Sequence, residues 1–151
     1  MGQTSVDALR GLPFFENMDA SHVNRLAAMG REVGFEKDQV IFQEGEAARQ
    51  FYVVLTGKVA LELTTGRGRL RVLTVEGGHE LGWSFLVPET GRRFRAKALG
   101  QVRTLAFDGG ELRKACEQDA LFGQRLTRRL LRTVTGRLEA TVVQFHDSYG
   151  S

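Results

Sequence analysis

The sequence predicts an α+β fold: an antiparallel β-roll, that is a double-stranded β-helix or jelly roll, flanked by N-terminal helices and followed by a long C-terminal helix. Three observations predict it. Helical periodicity is confined to the two ends of the chain. Between them, six short β-type runs follow one another at close spacing, separated by glycines, as in barrels and jelly rolls. The length, 151 residues with 42% hydrophobic, suits one compact domain and leaves no room for a second.

The first element is helical and covers residues 1–34. Leu9, Leu12 and Phe15 form a short apolar set, and Val23, Leu26, Ala27 and Met29 form another at helical spacing. Asp19 is placed to cap the second helix by accepting from an orphaned backbone N–H, and Gly30 and Gly34 mark the exit.

Residues 35–107 form the roll. QVIFQ (39–43), QFYVVLTG (50–57), KVALEL (58–63), RLRVLTV (69–75), FRAKAL (94–99) and VRTLAF (102–107) are rich in β-branched and aromatic residues that fit a pleated, half-buried surface. Gly45, Gly57, Gly66, Gly68, Gly77, Gly78 and Gly82 fall in the connections. TTGRGRL reads as the loop of a hairpin.

From residue 108 to 147 the helical period returns. Leu126, Leu130, Val134, Leu138, Val142 and Phe145, spaced by four or three, mark one face of a long helix. Gly136 in its middle costs about 1 kcal/mol relative to Ala, so a bend or a close helix contact is expected there. The apolar face needs a cover, either the roll or a second copy, and the second option predicts a homodimer through this helix.

Composition narrows the function classes. No uninterrupted apolar run is long enough for a membrane span and the N-terminus lacks a signal layout, so a cytoplasmic protein with no membrane partner is expected. A lone Cys116 rules out an internal disulfide and a thiolate metal cluster. His22, His79 and His146 show no metal spacing, and Ser84 lacks the G-x-S-x-G context of a nucleophile, so no enzyme is predicted. The net charge of +3 comes from arginine clusters at 67–71, 92–95 and 125–132, which suit a phosphate-bearing ligand or an acidic protein partner as readily as a solvated face.

The order helix, roll, long helix, together with VIFQEGEAARQFYVVLTGKVAL (40–61), resembles the cyclic nucleotide-binding domain of the catabolite-activator and protein-kinase regulatory-subunit superfamily. That family holds its ligand in a phosphate-binding cassette: a Gly-Glu pair, a short helix, then an Arg nine residues after the Glu. The resemblance implies that the Glu accepts from the ribose 2′-OH and the Arg pairs with the cyclic phosphate. Here Gly82 matches the Gly, Trp83 stands in the Glu position, Ser84 follows, and Arg92 falls at the Arg position, with Arg93 beside it. The Gly-Trp-Ser sequence is similar to that of a bacterial subgroup of the family. Trp offers one donor and a large ring, and cannot reproduce a carboxylate acceptor. Phe94 stands where a small residue is common.

Three readings of GWSFLVPETGRRFRA therefore stay open. Trp83 and Phe94 plug the pocket; or a cyclic mononucleotide binds weakly with Arg92 on its phosphate; or another anion or a cyclic dinucleotide binds, aided by Arg93 and Arg95. The expectation is a non-enzymatic regulatory module with no tightly held cofactor, its ligand site at Gly82, Trp83, Ser84, Arg92 and Arg93, and ligand binding transmitted to the C-terminal helix. The alternative is a degenerate roll serving as a protein-interaction scaffold. The helix-turn-helix that follows the long helix in activator-type relatives needs about 60 further residues. The chain stops at Ser151, so no DNA-binding domain is expected.

Overall fold

A computed structural model describes residues 5–149, with the side chains of residues 142–149 outside the description. The chain divides into two compact units, the first ending at Lys114 and the second beginning at Ala115.

The first unit opens with α1 (Val6–Arg10), capped by the Ser5 hydroxyl, which accepts from the Ala8 amide at 3.2 Å. A 3-10 turn over Pro13–Phe15 follows, then α2 (Ala20–Met29). Asp19 occupies the N-cap of α2 as expected, but its carboxylate makes no capping bond; it accepts from the Ser21 hydroxyl at 3.3 Å. The residues of this segment that matter most are Phe14 and Phe15, both buried, with the Phe14 amide donating to the Gly78 carbonyl at 2.9 Å.

The roll consists of two four-stranded antiparallel sheets. One has the order β1 (Arg31–Phe35), β8 (Val102–Asp108), β3 (Gln50–Thr56), β6 (Glu80–Leu81). The other has the order β2 (Val40–Phe42), β7 (Arg95–Ala98), β4 (Lys58–Thr65), β5 (Gly68–Glu76). This agrees with the predicted antiparallel roll and adds two strands the sequence did not announce. β1 begins at Arg31, inside the stretch read as helical, and Gly34 lies within it rather than after a helix. REVGF is a poor strand by composition; it forms because it pairs with β8, where the Thr104 hydroxyl donates to the Val33 carbonyl at 2.8 Å. β6 has only two residues and exists through its register with Tyr52 and Val53.

β3 shows why its sequence is a continuous apolar run rather than an alternation. Phe51 through Val54 are all buried, so both faces of the strand are covered. Tyr52 and Val54 face the space between the sheets with Phe42, Val59, Leu61, Val75, Leu81, Ala96 and Ala98. Phe51, on the opposite face, packs against Phe14, Phe85 and Phe107 at centroid distances of 5.7, 4.9 and 5.8 Å. Each fully buried Phe contributes about 1.5–3 kcal/mol, so the second layer is a substantial core in its own right.

The C-terminal region contains two helices within the stretch expected to be helical. α3 (Gly109–Gln118) and α4 (Ala120–Tyr149) meet at Asp119, whose carboxylate accepts from the Phe122 amide at 3.2 Å and so starts α4. Leu126 and Leu130 are buried, Val134 is half-buried, and Leu138 is 62% exposed, so the predicted stripe is not covered along its length. Val142 and Phe145 of that stripe lie outside the described side chains. α4 runs through Gly136 without interruption, and a side chain there would meet open space, which removes the reason to expect a close contact. No helix among the described residues is long and apolar enough to cross a membrane.

Candidate functional site

The cassette begins where β6 ends. Leu81 is fully buried, and the chain then turns through Gly82 at φ +92° and ψ 28° into a 3-10 helix over Trp83–Leu86. A second 3-10 turn over Pro88–Thr90 follows and stops at Gly91, with φ +67°. Both glycines carry a left-handed conformation that an L side chain rarely adopts. At Gly82 space is limiting as well: an added Cβ would lie 2.8 Å from Arg92 Nη1 and 3.2 Å from the Gln50 carbonyl.

Arg92 is held from both sides of its backbone. Its carbonyl accepts from the Gly45 amide at 2.7 Å, and its amide donates to the Glu46 carbonyl at 2.8 Å. The turn QEGEA between β2 and β3 thus fixes where the arginine starts. Its side chain runs inward and is 4% exposed. Nη1 donates to the Gly82 carbonyl at 3.0 Å, Nη2 donates to the Gln50 carbonyl, and the guanidinium carbon lies 4.1 Å from the centroid of the Phe42 ring. Nε is buried without a hydrogen-bond partner.

The electrostatics of this group follow from its partners. Burial pushes the Arg92 guanidinium below its ordinary value, and the Tyr52 phenol and Glu46 carboxyl push it part of the way back. Burial likewise raises Tyr52, against the opposing pull of Arg92. Glu46 is spent elsewhere, accepting from the Gln43 amide at 3.1 Å. A buried cation whose contacts are two carbonyl oxygens and a ring has its charge only partly compensated, whereas an anion would neutralise it and accept through shorter, charge-assisted bonds.

The structure brings Gly82, Trp83, Ser84 and Arg92 into one loop. Ser84 is buried, and its carbonyl accepts from the Val87 amide at 3.0 Å. Trp83 is half-buried, neither sealed in the core nor free in solvent. Phe94 is also half-buried and packs on the inter-sheet core. Arg93, next in sequence to the buried cation, is exposed. Arg95 is committed to β4, with Nε 3.2 Å from the Glu62 carboxylate. Sequence reasoning missed Phe42, Gln50, Tyr52 and Arg113 as parts of the site. Arg113 of α3 donates from Nη1 to the Phe85 carbonyl at 2.6 Å. Gln50 contributes a carbonyl, which no side-chain pattern can signal.

A separate open groove of about 450 Å³ lies in the C-terminal region, lined by Cys116, Ala120, Gly123, Gln124, Thr127 and Leu131 among others. It holds no buried charge or convergent polar set of the kind seen at Arg92, so the cassette is the better candidate for a small anion. Among the described residues no group of His, Cys, Asp and Glu is placed to hold a metal ion.

A family model described as the cyclic nucleotide-binding domain matches residues 32–119. The chain is 24% identical over 153 aligned positions to a CRP-like cAMP-activated global transcriptional regulator of Mycobacterium tuberculosis, covering 91% of this chain and 68% of that protein. Among solved structures it is similar to the N-terminal domain of a transcriptional regulator from Streptomyces coelicolor, with a TM-score of 0.71 and 27% identity over 89% of this chain and 94% of that one. A cyclic nucleotide-binding domain from Methylobacillus flagellatus superposes with a TM-score of 0.82 over 97% of this chain and 83% of its own, at 16% identity, which is a likeness of fold.

Proposed function

Because this chain belongs to the cyclic nucleotide-binding domain family, we propose that it is a non-enzymatic regulatory module whose cassette takes a cyclic nucleotide, with Arg92 on the cyclic phosphate. The observation that carries the reading is the state of Arg92: a guanidinium only 4% exposed, beside the turn at Gly82, with carbonyl oxygens and a ring as its contacts. A phosphate would compensate that charge, and Gly82, lacking a Cβ, leaves room for the guanidinium beside its backbone. Ser84 and Trp83 line the same loop, and Arg93 stands at its exposed rim as an auxiliary cation.

Transmission to the C-terminal helices has a physical route. Phe85 sits in the cassette helix, and its carbonyl is bound by Arg113 of α3. A ligand that shifts the cassette helix must change that bond or carry α3 with it, and α3 leads into α4 through Asp119. On α4, Leu131 and Leu138 lie seven positions apart and are both 62% exposed, which is the spacing of a helix-pairing seam. We infer a homodimer through that seam.

A second reading rests on a specific contact set. Arg92 is already folded onto Phe42, Gly82 and Gln50, and Phe94 packs on the core, so the cassette is partly satisfied without a ligand. In that reading the roll is a rigid protein-interaction scaffold.

Titration with cAMP, cGMP and cyclic di-GMP, read by melting temperature and by the emission of Trp83, the single tryptophan, separates the two. The sensor reading expects a saturable response to one nucleotide that Arg92→Met abolishes, while the ligand-free variant stays within about 1 kcal/mol of the parent. No response at about 1 mM of any nucleotide leaves the scaffold.

A further inference from the structure

The β4–β5 hairpin carries features that the cassette does not use. β5 ends the strand order β2-β7-β4-β5, so one of its edges has no neighbouring strand. An edge of this kind is a row of backbone donors and acceptors able to receive another strand. Arg69 and Arg71 along it, and Arg67 in the preceding turn, are all exposed.

The register fixes what each face of that edge presents. Arg69 stands opposite Thr64 and Arg71 opposite Glu62. Glu62 also faces Arg95 across β7 and is 7% exposed, with its oxygens 3.2 Å from Arg95 Nε and 4.0 Å from Lys97 Nζ. The carboxylate is therefore taken up by cations of β7, and neither Arg69 nor Arg71 forms an ion pair among the described residues. Leu70, between the two arginines, lies on the other face and is 55% exposed, while Val72 is the extra residue of a bulge opposite Leu61 and Glu62 and packs on the core. One edge thus offers two cations on one face and an exposed leucine on the other.

We propose that the free edge of β5 binds an extended segment of a partner protein in which acidic and apolar residues alternate. Arg69 and Arg71 lie about 7 Å apart along the strand, the spacing of acidic residues two positions apart in a partner strand. Leu70 would be covered by the apolar residue between them. A second copy of the chain is a poor occupant, because antiparallel pairing of two β5 edges centred on Leu70 sets Arg69 against Arg71, and like charges directly opposite are destabilising. Nucleic acid would use the arginines but would leave the backbone edge and Leu70 unused.

The test uses a fluorescein-labelled peptide of alternating Glu and Val with solubilising ends, followed by anisotropy and by amide exchange of the full chain. Saturable binding is expected, with slowed exchange at β5. N-methylation of alternate peptide amides should weaken it by about tenfold or more, and so should Arg69→Glu with Arg71→Glu. The double variant must keep the parent's melting temperature, since both positions are exposed. The proposal is overturned by absence of saturable binding, by affinity indifferent to N-methylation, or by duplex DNA competing as well as unlabelled peptide; the last two would mark a general anion surface.

Discussion

Arg113 Nη1 donates to the Phe85 carbonyl at 2.6 Å, joining the start of α3 to the cassette helix. The carbonyls at the end of so short a helix have no partner of their own, so this bond satisfies a group that would otherwise be orphaned. Arg113→Met keeps much of the packing volume and removes the donor. The expected loss is about 1–2 kcal/mol by urea denaturation, with faster amide exchange confined to Trp83–Leu86. Exchange unchanged in that helix would show that the bond does not hold the cassette.

Gly82 is tested by a single methyl. Its φ is +92°, and an alanine Cβ would stand 2.8 Å from Arg92 Nη1. Gly82→Ala should cost about 1–2 kcal/mol through backbone strain and displacement of the guanidinium, and should weaken any nucleotide response together with stability. Gly66→Ala, where nothing lies within 4 Å, serves as the control.

Trp83 leaves the cassette without a carboxylate at that position. If a cyclic nucleotide binds as proposed, the parent should take cAMP and its 2′-deoxy analogue with similar affinity. Trp83→Glu should then favour the ribose form by about tenfold, the worth of a hydrogen bond to a charged acceptor. Calorimetric titration of both ligands against both proteins decides it, and a parent that already prefers the ribose form has found its acceptor elsewhere.

Tyr52 predicts the alkaline limb of stability. Burial raises its phenol above the ordinary value near 10, so the folded state keeps the proton longer than the unfolded chain does. A group raised in this way contributes stability that is fully present below pH 10 and is lost as pH climbs through the folded value. Arg92, lowered by burial, works in the opposite sense: its penalty is relieved as pH rises from its lowered value toward its ordinary one. Urea midpoints from pH 8 to 11 should fall at the upper end, and Tyr52→Phe should flatten that fall.

Leu131 and Leu138 test the assembly. Both are 62% exposed on α4, so Leu131→Glu with Leu138→Glu should leave the folded chain intact. Sedimentation should show the mass halved relative to the parent. A parent that is already monomeric removes the helix seam from the proposed mechanism.

The sequence by itself determined the antiparallel roll and the helices at either end, because alternation and helical period are local properties of the chain, whereas the cassette register from Gly82 to Arg92 came from the resemblance to the family. It did not reveal β1, since REVGF becomes a strand only through β8, nor the break at Asp119, which lies before the apolar stripe of α4 begins. Only the tertiary structure decided that Arg92 turns inward onto Phe42 and the carbonyls of Gly82 and Gln50, that Phe94 joins the core, that Arg95 belongs to Glu62, and that Arg113 reaches Phe85. The physical reason is the same in each case. Where a long cationic side chain goes depends on which carbonyls, rings and carboxylates the fold sets around it, and those partners are backbone atoms or residues far away in sequence.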